Sequence, residues 1–156
     1  VETAILIGVV VAVMVLRLGF VWSQGYRARK AVERGMIALE QGDFPEAEQA
    51  LKRCVKLAPI YAPARRVLGR CLAAQQKYTE AEEQIRFASD LEPRNSEGHL
   101  ELAVFLSRCP PQRFGEALDA LEKAVEIQPE LAKQLLAISM LEDLHGEERF
   151  QALVAS

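Results

Sequence analysis

The apolar positions of this chain follow two different patterns. From Ala4 to Trp22 they are nearly continuous, AILIGVVVAVMVLRLGFVW, with Arg17 as the one charge. From about residue 28 they recur every three or four residues, the spacing of a helix with one buried face. Ala31, Gly35, Ala38 and Leu39 share such a face, and Gly42-Asp43 then interrupts it. A second amphipathic run from Pro45 to Leu57 places Ala47, Ala50, Leu51, Cys54 and Leu57 together. Pro45 suits a first helical turn, and Pro59 stops the helix before it. The spacing predicts helix–turn–helix units that cannot bury their apolar stripes alone and must stack.

The unit is written three times. Phe44-Pro-Glu-Ala47 leads to Pro59, Tyr78-Thr-Glu-Ala81 to Pro93, and Phe114-Gly-Glu-Ala117 to Pro129. Each proline lies 15 residues after its aromatic, and the copies are 34 and then 36 residues apart. The extra length of the third copy falls at Cys109-Pro110-Pro111, where a longer loop between its two helices is expected. Beyond Pro129 the apolar spacing of Leu131, Leu135, Ile138 and Leu141 predicts a helix over Glu130 to Leu144. His145-Gly146 breaks it, and a short last helix is expected from Glu147 to Val154.

This pattern resembles the tetratricopeptide repeat. A small residue in the first helix of each unit (Gly35, Gly69, Ala103) is followed by the opening aromatic, the alanine and the proline quoted above. The resemblance covers residues 28–129. It implies that the small residue lets the two helices approach, that the aromatic fills the space between them, and that the alanine permits a close crossing. The implied fold is all-α: a right-handed α-solenoid of three helix pairs over 27–60, 61–95 and 96–129. A degenerate capping unit follows over 130–156.

In this family the first helices of the pairs supply most of a concave binding face. Carried onto this chain, that face holds Val32, Met36 and Leu39, then Arg66, Arg70 and Ala73, then Leu100, Val104 and Arg108, with Ile138 and Leu141 from the cap. Such a groove suits an apolar or amphipathic segment carrying a carboxylate. The competing reading is that Met36, Leu39 and Leu100 merely pack against neighbouring helices. The Lys and Asn pair with which some members clamp a chaperone C-terminus is missing, because Val32 and Met36 stand at those positions of the first unit.

The N-terminal run has the length of a membrane span, and residues 1–26 are expected to form a transmembrane helix. Arg17 would snorkel, Trp22 and Tyr26 would sit at the interface, and Arg27, Arg29, Lys30 and Arg34 would stay on the cytoplasmic side. No basic stretch precedes the run and no cleavage site follows, so an uncleaved anchor is expected. The layout is similar to membrane-anchored bacterial members of the family, although their C-terminal metal-binding module is missing. A single-pass inner-membrane protein follows, with its N-terminus outside and its repeats cytoplasmic. The inverted arrangement, with periplasmic repeats, stays open. Ala4, Gly8 and Ala12 share a face on which another membrane helix could pack.

Charge divides along the chain. Residues 1–70 carry 11 Lys+Arg against 6 Asp+Glu, and residues 71–156 carry 8 against 16, so +5 and −8 make the net −3. Cys54, Cys71 and Cys109 have neither disulfide nor zinc spacing and read as small helix residues of a reducing compartment. His99 and His145 have no ligand partner at helical spacing, and no nucleophile–base pair or phosphate loop occurs. A non-enzymatic protein without cofactor or metal is therefore expected, bound to protein partners and not to nucleic acid. Two versions stay open. One is an accessory or scaffold subunit of a larger membrane complex, in contact with the bilayer and an integral partner. The other is a transient assembly or quality-control adaptor that brings soluble clients to the membrane.

Overall fold

The computed structural model describes residues 2–155; the side chains of residues 2–6, 8 and 9 lie outside that description. Its elements in chain order are α1 (Glu2–Glu40), α2 (Phe44–Leu57), α3 (Ala62–Ala74), α4 (Tyr78–Leu91), α5 (Ser96–Arg108) and α6 (Phe114–Ile127). Two 3₁₀ stretches, Pro129–Ala137 and Ser139–Leu144, lead to α7 (Glu148–Ala155). The chain divides into two compact units, one reaching Ile60 and one beginning at Tyr61.

Local chemistry sets the helix ends. Gly42 turns the chain at φ +76°, a conformation that glycine adopts without strain. Asp43 then caps α2 by accepting the Glu46 N–H at 3.1 Å. Asn95 caps α5 in the same way, from the Glu97 N–H at 3.1 Å. Pro45 and Pro63 occupy first turns, where their missing N–H costs nothing.

In the first unit α2 packs against the C-terminal part of α1. A Cβ on Gly35 would stand 2.6 Å from Leu51 Cγ, so the glycine is what lets the helices meet. The Cys54 thiol donates to the Ala28 carbonyl at 3.2 Å and fastens the same crossing. Burial holds this thiol in its protonated form by pushing its pKa up.

The second unit repeats the arrangement. A Cβ on Gly69 would run into Ile85, with the Ala81 carbonyl oxygen 3.2 Å away. Ala103, at the equivalent place in α5, is wholly buried. So are the signature alanines Ala47, Ala81 and Ala117, while Phe44, Tyr78 and Phe114 are half-buried at the helix starts. Leu72, Leu106 and Leu121 fill the interior, and each fully buried leucine contributes about 2 kcal/mol. The third A–B loop is the longer one, running Cys109–Arg113 against Gln75–Lys77 in the second repeat. The Arg113 N–H closes it by donating to the Leu106 carbonyl at 2.9 Å.

Two expectations need correction. The first is the transmembrane helix. Among the described residues no helix is long and apolar enough to cross a membrane. The apolar run that starts at Ala4 is cut by Arg17, and Ser23, Gln24, Arg27 and Arg29 follow within the same helix. The helix does not end where the apolar run ends. It continues unbroken to Glu40 and becomes the first helix of the first repeat. The single-pass membrane location, the N-terminus-outside topology, the lipid contacts and the likeness to membrane-anchored members fall with it.

The second correction concerns the cap. Glu130 to Leu144 is not one α-helix but the two 3₁₀ stretches, parted at Ile138, which is extended at φ −85° and ψ 96°. Ala132 and Leu135 in the first stretch, and Leu141 and Leu144 in the second, are spaced by three. Three is the period of a 3₁₀ helix, in which such residues line one edge. Leu135, Leu141 and Leu144 are fully buried there, so Leu141 belongs to the core and not to a groove. Phe150 of α7 is also fully buried and stacks on His145, with ring centroids 5.0 Å apart.

Candidate functional site

The expected groove residues fall into both units. In the first, Val32 is buried, Leu39 half-buried and Met36 exposed, all on α1. In the second, Arg66, Arg70 and Ala73 lie on α3, and Leu100, Val104 and Arg108 on α5. Leu100 and Val104 are half-buried one turn apart, Arg108 is exposed, and Ile138 is half-buried between the 3₁₀ stretches. Ala4 and Gly8 of the expected helix-packing face lie outside the described side chains, while Ala12 is exposed. Arg17, Trp22 and Arg29 are exposed on α1.

Side chains join α3 to α5, and carboxylates do the joining. Arg66 Nη1 donates to Glu92 Oε2 at 3.0 Å and Nη2 to Glu97 Oε2 at 3.3 Å. Its Nε stands 3.3 Å from Glu101 Oε2, close enough for an ion pair but not aligned as a hydrogen bond. Asn95 holds Glu92 in place through a 2.8 Å bond from Nδ2. Only 12% of the Arg66 side chain is exposed. Arg70 differs: 52% of its side chain is exposed, and its one ion-pair distance, 3.8 Å to Glu101, is long.

The two arginines therefore have different roles. Arg66 is engaged by the protein's own acids through two hydrogen bonds and ties the second repeat to the third. Arg70 is half exposed, and Arg108 stands exposed at the end of α5. Glu101 is partly buried between the arginines. Burial pushes its carboxyl above the usual carboxylate range, against the pull of Arg70 and Arg66.

Sequence reasoning missed Glu92, Glu97 and Glu101. A signal existed: Glu97, Leu100, Glu101, Val104 and Arg108 recur at three- and four-residue spacing and form one stripe of α5. The sequence reading takes Leu100, Val104 and Arg108 from that stripe and leaves out its carboxylates.

A second charged cluster joins α4 to α6. Glu82 accepts from Arg113 at 2.6 Å and from Arg86 at 2.7 Å, and Arg86 also reaches Glu116. The hydrogen bond from Arg113, ahead of that from Arg86, holds the Glu82 carboxyl below its usual range.

His99 is buried and used structurally. Its Nε2 lies 3.1 Å from the Pro93 carbonyl, which can only accept, so Nε2 carries the proton. Nδ1 then accepts from the Ser89 hydroxyl at 3.1 Å. Cys71 is buried within α3, and Cys109 is half-buried at the end of α5.

A tetratricopeptide-repeat family model matches residues 32–86 and 74–132. No curated protein matches the chain. Among solved structures it is similar to the TPR2B domain of yeast Sti1, described as a complex with pHsp70. The TM-score is 0.65 at 19% identity, over 81% of this chain and 98% of that one. It is also similar to MamA from Desulfovibrio magneticus RS-1, at TM-score 0.61 and 20% identity, over 82% of this chain and 74% of that one. A mutant O-GlcNAc transferase of Thermobaculum terrenum gives 0.58 at 20%, but over only 22% of the transferase. At these identities the likeness is one of fold.

Proposed function

Because the chain belongs to the tetratricopeptide-repeat family, whose members are generally protein-interaction modules, we propose that it is a non-enzymatic scaffold that holds a protein partner on the α3–α5 face. The observation that carries this reading is the division of labour between Arg66 and Arg70. Here one arginine is consumed and the other is half exposed beside half-buried Leu100 and Val104. The partner segment is amphipathic: apolar where it covers Leu100 and Val104, acidic where it meets Arg70 and Arg108. The fold-related Sti1 domain was solved with a pHsp70 partner, which agrees with a protein ligand for this fold.

A stable subunit of a larger assembly fits better than a transient adaptor. α1 exposes Met14, Leu16, Phe20 and Trp22, each by more than 60%. Apolar surface of that extent marks an interaction site and suits the apolar interfaces of permanent complexes. The test is affinity purification of the tagged full chain, with partners identified by mass spectrometry. A subunit retains its partner at fixed stoichiometry through salt washes, and Arg70→Glu with Arg108→Glu depletes it. Recovery that is substoichiometric and salt-sensitive contradicts the subunit reading. Recovery indifferent to the two substitutions contradicts the face.

A further inference from the structure

The first unit has a surface of its own. A cleft of about 780 Å³ opens between α1 and α2. Ala31, Ala50 and Leu57 form its apolar part, and Arg27, Lys30, Arg34 and Arg53 surround it. Glu46 is the one carboxylate lining it, and Arg34 Nε already engages that residue at 2.7 Å. Among the described residues neither Arg27 nor Arg53 has an ion-pair partner. The cleft therefore carries an uncompensated positive charge.

The repeat register says what such a face is for. Gly35, Gly69 and Ala103 are equivalent, so Lys30 corresponds to Ala64 and Gly98, and Arg34 to Leu68 and Leu102. Those later residues are buried. In the third repeat this face lies against the helix before it. A Cβ on Gly98 would stand 3.8 Å from Ser89 Cα of α4. His99, Leu102, Ala120 and Lys123 line a small cavity with Ser89 and Arg86 of α4. They stand where the first repeat has Ala31, Arg34, Ala50 and Arg53. The same face thus receives a helix in the third repeat, and in the first it is open and has cations, Lys30 and Arg34, at two positions without charge in the later repeats.

We propose that this cleft is a docking site for an acidic helix of a partner protein, seated on α1 and α2 as α4 is seated on α5 and α6. Shape follows from the register and sign from the charges: four cations against one carboxylate select a helix with carboxylates flanking a narrow stripe of small apolar residues. Lys30 and Arg34 sit one turn apart on α1 and would meet acids one turn apart on the incoming helix.

The test uses the full chain and two synthetic helical peptides with the same alanine–leucine stripe, one flanked by Glu and one by Lys. Fluorescence anisotropy reads binding, and vesicles containing phosphatidylglycerol serve as a third probe. The Glu peptide should bind and the Lys peptide should not. Lys30→Glu with Arg53→Glu should weaken the Glu peptide at least about tenfold with no change in the melting temperature. Arg70→Glu with Arg108→Glu should leave this binding unchanged, which separates the cleft from the α3–α5 face. Equal binding of both peptides, or indifference to Lys30→Glu with Arg53→Glu, overturns the proposal. So does binding to the vesicles through these cations when the Glu peptide fails to bind.

Discussion

Residues 7–25 of α1 and the repeats after residue 28 are both helical and both rich in apolar residues, yet they behave in opposite ways. In the first stretch Val10, Leu16, Phe20 and Trp22 are exposed, and Gly19 and Gly25 face open space. In the repeats Leu51, Leu68, Leu72, Leu106 and Leu121 are buried, and Gly35 and Gly69 sit where any side chain would strike a neighbour. The difference is periodicity. A stripe repeated at helical spacing finds a partner helix within the same unit, whereas a helix apolar all round has no single face to offer one. Apolar content alone says that a segment needs cover; pattern says where the cover comes from.

The strongest way to break this contrast is to exchange its glycines. Gly69→Val forces a branched side chain into Ile85 and the Ala81 carbonyl. It should cost about 3 kcal/mol, beyond any gain in helix propensity. Gly19→Ala meets nothing within 4 Å and should be neutral or raise stability by up to about 1 kcal/mol. Urea titration of both variants decides, and a Gly69→Val chain as stable as the parent would refute the close crossing.

A smaller effect separates the two arginines. Arg66→Met removes an ion-pair partner shared by three carboxylates and should cost about 2 kcal/mol. Arg70→Met should cost under about 0.5 kcal/mol, because its pairing is long and half exposed. Thermal melts of equal depth for the two would show that Arg66 is no tie between repeats.

The smallest effects carry a pH sign. Glu82 has a lowered carboxyl pKa, so its contribution is present above the ordinary carboxylate pKa and fades as pH falls through the lowered one. Glu82→Gln should therefore destabilise by about 1 kcal/mol at neutral pH, and the gap should close in acid. Glu101 has a raised pKa, so its sign is opposite. Ionising it in the folded state has a cost, which appears as pH rises from the ordinary carboxylate value towards the raised one. Glu101→Gln should leave stability at neutral pH unchanged or slightly higher. Melting curves from about pH 2 to 8 test both, and parallel pH profiles would contradict the assignment.

Much of the fold was legible because the repeat writes its packing into residue types. Gly35 against Leu51 and Gly69 against Ile85 are the close approaches that small residues at those positions imply. The cap was misread because Leu131 and Leu135 fit an α-helical period, while the spacing of three from Ala132 to Leu135 and from Leu141 to Leu144 was passed over. The N-terminal run was misread because hydropathy was given more weight than the break at Arg17 and the polar residues that continue the helix. The candidate site was half legible. The face could be placed from the repeat register, but the ion pairs of Arg66 depend on where Glu92 and Glu97 lie across the turn between α4 and α5. Linear spacing does not show that separation.

The central claim is that the α3–α5 face holds a partner through Arg70 and Arg108 while Arg66 holds the repeats together. Its most direct test is partner recovery, measured in parallel with melting temperature, for Arg70→Glu with Arg108→Glu and for Arg66→Met. The first chain should melt like the parent and lose its partner, and the second should melt early and still bind below its transition. A first chain that melts normally and recovers the same partner in the same amount would contradict it.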